Sequence, residues 1–172
     1  MAAEQHEVGD PGGHPLDPSR FREAMSRLAS GVTIVTTEDE HGEPHGFTAS
    51  SFCSVSLDPP LVLVCLAWAA TCYPVFAATG RFDVSILKAH HAGLAQRFAS
   101  KVPGKFGQGR FVRTASGRTA LDDASAVIQC SVDARHPAGD HVLIVGRVDE
   151  VLLAGKESPA VYFDRSFGTF CP

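Results

Sequence analysis

The sequence predicts a mainly β, antiparallel protein closed into a barrel and covered by a few helices. Three observations carry that reading. Strand-like runs outnumber helical ones along the chain. Two long alternating runs, 124–136 and 140–153, are separated only by a short Pro-Ala-Gly turn, which reads as a hairpin. The β-α-β pattern at 61–87, the one argument for a small parallel sheet, carries no Gly-rich phosphate loop after its strand.

In chain order, residues 1–16 are Gly-, Pro- and polar-rich and read as a disordered tail, leaving one domain over 17–172. Asp17-Pro18 reads as an N-cap followed by proline in the first helical position. Phe21, Met25 and Leu28 then recur at helical spacing, which predicts an amphipathic helix over 18–29. The β-branched run 32–37 is a strand. Gly46 to Leu57 is expected to be one further strand, broken by Asp58-Pro59-Pro60. Residues 61–67, LVLVCLA, form a buried central strand. A helix over 71–79 is predicted with Thr71 as N-cap and Gly80 as its stop. Residues 81–87 alternate as a strand, Leu94 and Phe98 mark a helix over 90–99, and 100–120 reads as a long loop. A last short strand is expected at 160–164.

Composition excludes several functions. The 172 residues carry a net charge of −4 with no Lys/Arg cluster, which argues against nucleic acid and anionic membrane surfaces as partners. No apolar run approaches the ~20 residues of a membrane span. The N-terminus lacks the parts of a signal peptide, so the expected location is cytoplasmic. The five cysteines form no C-x-x-C pair, which predicts reduced thiols and neither a disulfide framework nor a zinc site. His90 and His91 are expected to diverge on a helix, and no metal site is predicted.

The stretch GFTASSFCSVSLDPP, Gly46 to Pro60, places a row of hydroxyls against one of the most apolar runs of the chain. In a continuous strand, Thr48, Ser50, Phe52, Ser54 and Ser56 share one face. Phe47, Ala49, Ser51, Cys53, Val55 and Leu57 share the other, which is mostly apolar and should face the core. A buried hydroxyl without a partner costs about 1–3 kcal/mol, so the first face must meet something polar. Water, another strand or subunit, and a polar ligand are all open from spacing alone.

The ordered set SGVTIVTT, HGFTASSFCSVSLDPPLVLVCL, TGRFDVSIL, LAQRFAS, KF, ALDDASAVIQCSV, AGDHVLIVGRV and AVYFDRSFGTF resembles the short-chain flavin reductases over residues 20–170. These are the reductase components of two-component flavin-dependent monooxygenases. The resemblance implies an FMN-binding split β-barrel, working as a homodimer with FMN or FAD near the subunit interface. It also implies hydride transfer from NADH or NADPH to flavin, and release of reduced flavin to a separate monooxygenase. A same-fold flavoprotein that retains its flavin and acts directly on an organic substrate is the alternative, and a non-enzymatic flavin or haem binder is a third reading.

The same resemblance assigns residues. Thr48, Ala49, Ser50 and Ser51 would line the ring and ribityl chain, with Ser54 and Val55 close by. Thr71 and Cys72, at the start of the predicted helix, would receive the phosphate, with Lys105 as its basic partner. Phe98, Ala99 and Ser100 would lie beside the flavin. His141, in Gly139-Asp140-His141, would position the nicotinamide and is the expected catalytic residue. Ala69, Ala70 and Ser85 depart from the family pattern, and the chain has no Asn at all.

Overall fold

The computed structural model describes residues 16–155 and 157–170, so nearly all of the expected N-terminal tail lies outside the described residues. Seven strands form one antiparallel sheet: β2 (Thr33–Glu38), β3 (Pro44–Ala49), β4 (Cys53–Leu57), β5 (Pro60–Ala67), β6 (Arg81–Ile86), β9 (Ala126–Ala138) and β10 (His141–Leu153), in the order β3-β2-β6-β9-β10-β5-β4. Although β3 and β4 are consecutive in the chain, they sit at opposite ends of this sheet. The corner at Ser50–Phe52 therefore joins the two edges, and β3 also lies against β5, so the sheet curls into the expected barrel.

That corner overturns the single strand expected over 46–57. Phe47 and Ala49 are buried as expected, but beyond the corner the inward residue is Phe52, packed on the core. Ser51 and Cys53 are exposed, as are Val55 (52%) and Leu57 (91%). A one-residue change of phase exchanges the faces of a strand, and here the corner makes that change before β4 starts along the far edge.

Alternation does the rest. Val62, Val64 and Leu66 of β5 and Val142 and Ile144 of β10 point inward, onto Phe76, Phe82 and Val84. Each such side chain contributes about 1.5–3 kcal/mol on burial. Gly146 of β10 is required by this packing, because a Cβ there would lie 2.5 Å from the Phe82 ring. A second core lies outside the barrel wall, where Ile34, Leu87, Leu121 and Val127 meet Ala95 and Phe98 of α3 (Ala92–Ala99).

Other elements differ from expectation in detail. The first helix, α1 (Pro18–Ser26), has the expected Asp17 cap, whose Oδ1 accepts from the Ser19 N–H at 2.8 Å. It ends three residues early, and Phe21 and Met25 stay exposed. The second, α2 (Tyr73–Ala78), is capped by Cys72 rather than Thr71 and stops at Thr79. There the Arg135 guanidinium donates to the carbonyls of Phe76 and Thr79 and replaces the expected glycine stop. The expected loop 100–120 contains a short hairpin, β7 (Phe111–Arg113) and β8 (Thr119–Leu121), because Phe106 and Phe111 fold onto Phe98. The turn between β9 and β10 is tighter than expected, since Pro137 and Ala138 still pair in the ladder. A three-stranded sheet joins β1 (Ser30–Gly31) to the C-terminal hairpin β11 (Ala160–Phe163) and β12 (Ser166–Thr169), and this last strand was not foreseen. Among the described residues no helix is long and apolar enough to cross a membrane.

Candidate functional site

Two concavities share the Ala99–Ser100 segment at the end of α3. The larger, of about 670 Å³, brings Thr48 and Ser50 together with Gln96, Ala99 and Ser100 on one side and the C-terminal hairpin on the other. The smaller, of about 260 Å³, runs between the Ala69–Cys72 loop, the Phe98–Lys101 segment and Lys105. A third hollow of about 440 Å³ continues past Thr71, Cys72 and Lys105 to His45 and Gly46. The sequence-predicted residues thus fall into two groups, Thr48 and Ser50 in the first cavity and Thr71, Cys72, Phe98 and Lys105 in the second, with Ala99 and Ser100 in both.

The hydroxyl row divides by partner. Thr48 Oγ1 donates to the Ala95 carbonyl at 2.6 Å and ties β3 to α3. The Ser51 hydroxyl accepts from the Cys65 N–H at 3.1 Å, so it prolongs the β4–β5 ladder around the corner. The Ala49 side chain is in the core and its carbonyl accepts from Thr33 Oγ1 at 3.1 Å. Ser50 alone of these four is exposed at the mouth of a cavity with its hydroxyl uncommitted among the described residues. Ser54 and Val55 lie on the edge strand β4 and line neither cavity. Ser85 is fully buried, and its Oγ accepts from the Leu121 N–H at 3.2 Å, a structural role that asks for no amide.

Lys105 has the distinctive environment. Its Nζ donates to the Phe98 carbonyl at 2.9 Å, and among the described residues it has no carboxylate partner. Burial holds this ammonium below the ordinary lysine range, with the neighbouring Cys72 opposing the shift. Burial also raises the Cys72 thiol, while Lys105 acts the other way. The thiol is therefore a neutral wall residue, and the groove is cationic, with Lys105 partly buried in its wall and Lys101 beside it. Because α2 has only six residues and Cys72 makes no side-chain cap bond, the expected helix-terminus phosphate site reduces to this lysine and the Thr71 hydroxyl.

His141 opens β10 and pairs directly with Ala67, so both side chains stand on one face of the sheet beside the smaller groove that Ala67 lines. Asp140 Oδ1 lies 2.7 Å from His141 Nδ1, and that contact holds the Asp140 carboxyl below its usual range. Trp68, which the sequence reading missed, fixes the turn. Its indole donates to the Gly139 carbonyl at 3.1 Å, and its backbone N–H donates to the Asp140 carbonyl at 3.0 Å. As the only tryptophan of the chain, placed at the end of a buried strand, it was a visible signal.

Contrary to expectation, His90 and His91 do not diverge. Their rings are 4.0 Å apart and both meet Asp123, since residues 89–91 form a tight 3-10 turn. The three side chains are close enough to share an ion. However, His91 Nδ1 accepts from the Lys88 N–H at 3.1 Å, which leaves its proton on Nε2, directed at Asp123. That is a hydrogen-bonding arrangement, not ligation.

The flavin reductase-like domain matches residues 25–170. The actinorhodin polyketide dimerase of Streptomyces coelicolor is 53% identical over 155 residues, spanning 90% of this chain and 88% of that protein. The NADH:riboflavin 5'-phosphate oxidoreductase of Streptomyces pristinaespiralis is 39% identical, over 95% of this chain and 94% of its own. Among solved structures, the NADH:FAD oxidoreductase of Streptomyces globisporus in complex with NAD and FAD fragments superposes with a TM-score of 0.85 at 30% identity, covering 93% of this chain and 98% of that one. The barrel, its serine corner and the match over nearly all described residues agree: the chain belongs to the flavin reductase-like family.

Proposed function

We propose that this protein is an NAD(P)H:flavin oxidoreductase that reduces FMN or FAD and releases the product to a separate flavin-dependent monooxygenase, working as a cytoplasmic homodimer. One observation in the structure supports it above the others. A partly buried lysine without a carboxylate faces a groove whose other walls are hydroxyls, alanines, Cys72 and Phe98, with a second lysine, Lys101, at its edge. A flat tricyclic ring with an anionic tail needs that combination. Relatives named as NADH-dependent FMN reductases, 38% identical over 91% of the chain, support the same activity.

Flavin supplies a two-electron acceptor for the hydride of a reduced nicotinamide. The protein supplies binding and alignment. Lys105 and Thr71 would hold the phosphate, while Ser50 and the corner amides, which belong to neither ladder, would offer hydrogen bonds to the polar part of the flavin. Ala67 and Ala69 leave room for it. His141, kept in one orientation by Asp140 and by the Trp68-pinned turn, positions the nicotinamide. No side chain acts as a nucleophile. A second copy fits the exposed apolar side chains of β4 and β10, among them Leu57 (91%) and Leu153 (81%).

The purified protein, mixed with NADH or NADPH, should consume the dihydropyridine only when FMN or FAD is added. A protein that purifies yellow and turns over slowly with free flavin would instead support the flavin-retaining alternative.

A further inference from the structure

The turn that carries His90 and His91 is also the seam that ties the C-terminal hairpin to the barrel. Lys88 and Pro159 form an antiparallel bridge across it. The Ala89 N–H donates to the Ser158 carbonyl at 2.9 Å, and the Ala160 N–H donates to the Leu87 carbonyl at 3.0 Å. The Lys88 ammonium, itself buried, donates to Glu157 at 2.6 Å. From Ala160 the chain runs on as β11, which with β12 forms the outer wall of the larger cavity. His91 fastens this turn from within. It is only 6% exposed. Its Nδ1 accepts from the Lys88 N–H at 3.1 Å, and its Nε2 lies 3.1 Å from Asp123 Oδ1. The first of these bonds exists only while Nδ1 carries no proton.

The geometry points to a proton-driven latch: protonation of His91 breaks its bond with the Lys88 backbone and releases the 157–160 seam, so that acid loosens the outer wall of the cavity. A proton on Nδ1 faces the Lys88 N–H donor to donor, and that N–H belongs to a residue only 6% exposed, where an unpaired donor is costly. Among the described residues, the charged groups around the ring are Lys88 and His90 on the same turn, Asp123 and Asp122 on the link before β9, Glu157 ahead of β11 and Arg97 on α3. Asp122 is paired with Arg110, and Arg97 is committed to the carbonyls of Pro103, Gly104 and Lys105. Burial holds the His91 imidazole below its ordinary 6.5, with Asp123 pulling the other way and His90 and Lys88 adding to the shift. Burial raises the Asp123 carboxyl, but its two imidazole contacts outweigh that and keep it below its usual range. The Lys88 contact does the same for Glu157, so both carboxylates stay ionised while the imidazole titrates. The seam is therefore at full strength above the ordinary imidazole range, where the ring is neutral whether the seam is closed or open. As pH falls through 6.5 the open turn takes up a proton first, and closure weakens until the closed ring is protonated as well.

Hydrogen exchange of the free protein reads the latch with no ligand present, so its outcome is independent of the flavin-reductase reading. Between about pH 7.5 and about pH 5, protection of residues 158–163, corrected for intrinsic exchange, should fall about tenfold, the effect of losing one buried hydrogen bond. Residues 61–67 of β5 are the reference and should change by less than about twofold. His91→Gln is the decisive variant. Its amide oxygen can accept from Lys88 and its amide nitrogen can donate to Asp123, with no charge to gain. In that variant the seam should keep its protection within about twofold over the same interval. The imidazole nitrogen shifts of wild-type His91 give a second readout that needs no variant. Nδ1 should be unprotonated at the upper pH and gain its proton over the interval in which the seam opens. An equal loss in His91→Gln, a wild-type seam protected throughout, or a loss that does not track the His91 proton would overturn the latch.

Discussion

Replacing Lys105 by methionine removes the partly buried cation of the smaller groove while preserving the length of the stem that packs near Phe98, whose ring centroid is 6.0 Å from Nζ. A hydrogen bond to a charged group is worth about 1.5–3 kcal/mol. Lys105 is partly buried and donates only to the Phe98 carbonyl at 2.9 Å, so little of that interaction is screened or already committed to an internal carboxylate. The affinity for FMN is therefore expected to fall about ten- to a hundredfold. Riboflavin, with the same ring and no phosphate, is the control. Its affinity should change by less than about twofold. Titration of flavin fluorescence with both ligands reads the difference directly. The pH dependence gives an independent check. Burial lowers the lysine pKa in the free protein, and a bound phosphate raises it again, so FMN binding takes up a proton at alkaline pH. Affinity for FMN, but not for riboflavin, then declines as pH rises through the lysine range. Equal weakening of FMN and riboflavin by the substitution would refute a phosphate contact and leave Lys105 as a wall residue.

His141→Ala should lower kcat/KM for the nicotinamide by up to about a hundredfold with flavin affinity nearly intact, and an unchanged rate would remove His141 from the mechanism. Gly146→Ala drives a methyl to within 2.5 Å of the Phe82 ring and 2.9 Å of Cys130 Cβ. It should cost about 1–3 kcal/mol, seen as a drop in Tm, whereas Gly155→Ala, with nothing within 4 Å, should cost little. The Asp83 carboxyl is buried and its pKa is pushed up to about 6 from 3.8, because desolvation outweighs its pairing with Arg118. Below pH 3.8 it is neutral in both states and costs nothing. As pH rises to about 6 the unfolded chain ionises first, so stability falls by about 3 kcal/mol across that window. Denaturant melts of Asp83→Asn should show a flatter profile between those limits, and an unaltered slope would contradict the assignment.

The barrel was legible in the sequence because most of its strands obey one rule each. Val62, Val64 and Leu66 alternate, and the β-branched run of β2 is buried throughout. The corner was not legible, since its cause is tertiary. Ser50–Phe52 has acceptable strand chemistry, and only the sheet order shows that β3 and β4 cannot be one straight element. The hairpin at 111–121 was hidden for a similar reason. Its glycines and basic residues read as loop, while the force that orders it is the Phe98–Phe106–Phe111 cluster, whose irregular spacing fits neither a helical nor a strand period. At the site, Lys105 and the Phe98–Ser100 segment came from the resemblance, and the structure brings them together with Thr71 and Cys72. Tyr162, Arg165 and Phe167 lie in the AVYFDRSFGTF stretch that carried the resemblance, yet no role was assigned to them, because a two-residue turn flanked by aromatics is ordinary until it closes one side of a cavity.

The serine row shows how one composition serves two ends. Ser51 completes a ladder and Thr48 fastens a helix, so neither hydroxyl is free for a ligand while the fold is intact. Ser50 faces the cavity because the chain turns there to reach the other sheet edge. A corner forces a few backbone groups out of the ladder, and in an apolar barrel such groups need polar company. Hydroxyls supply it locally, and a polar ring placed at the mouth can supply it from outside. Under the proposed reading, barrel closure and a polar edge for a flavin are two results of the same change of direction, which would put the site where the two sheet edges meet rather than at a phosphate loop.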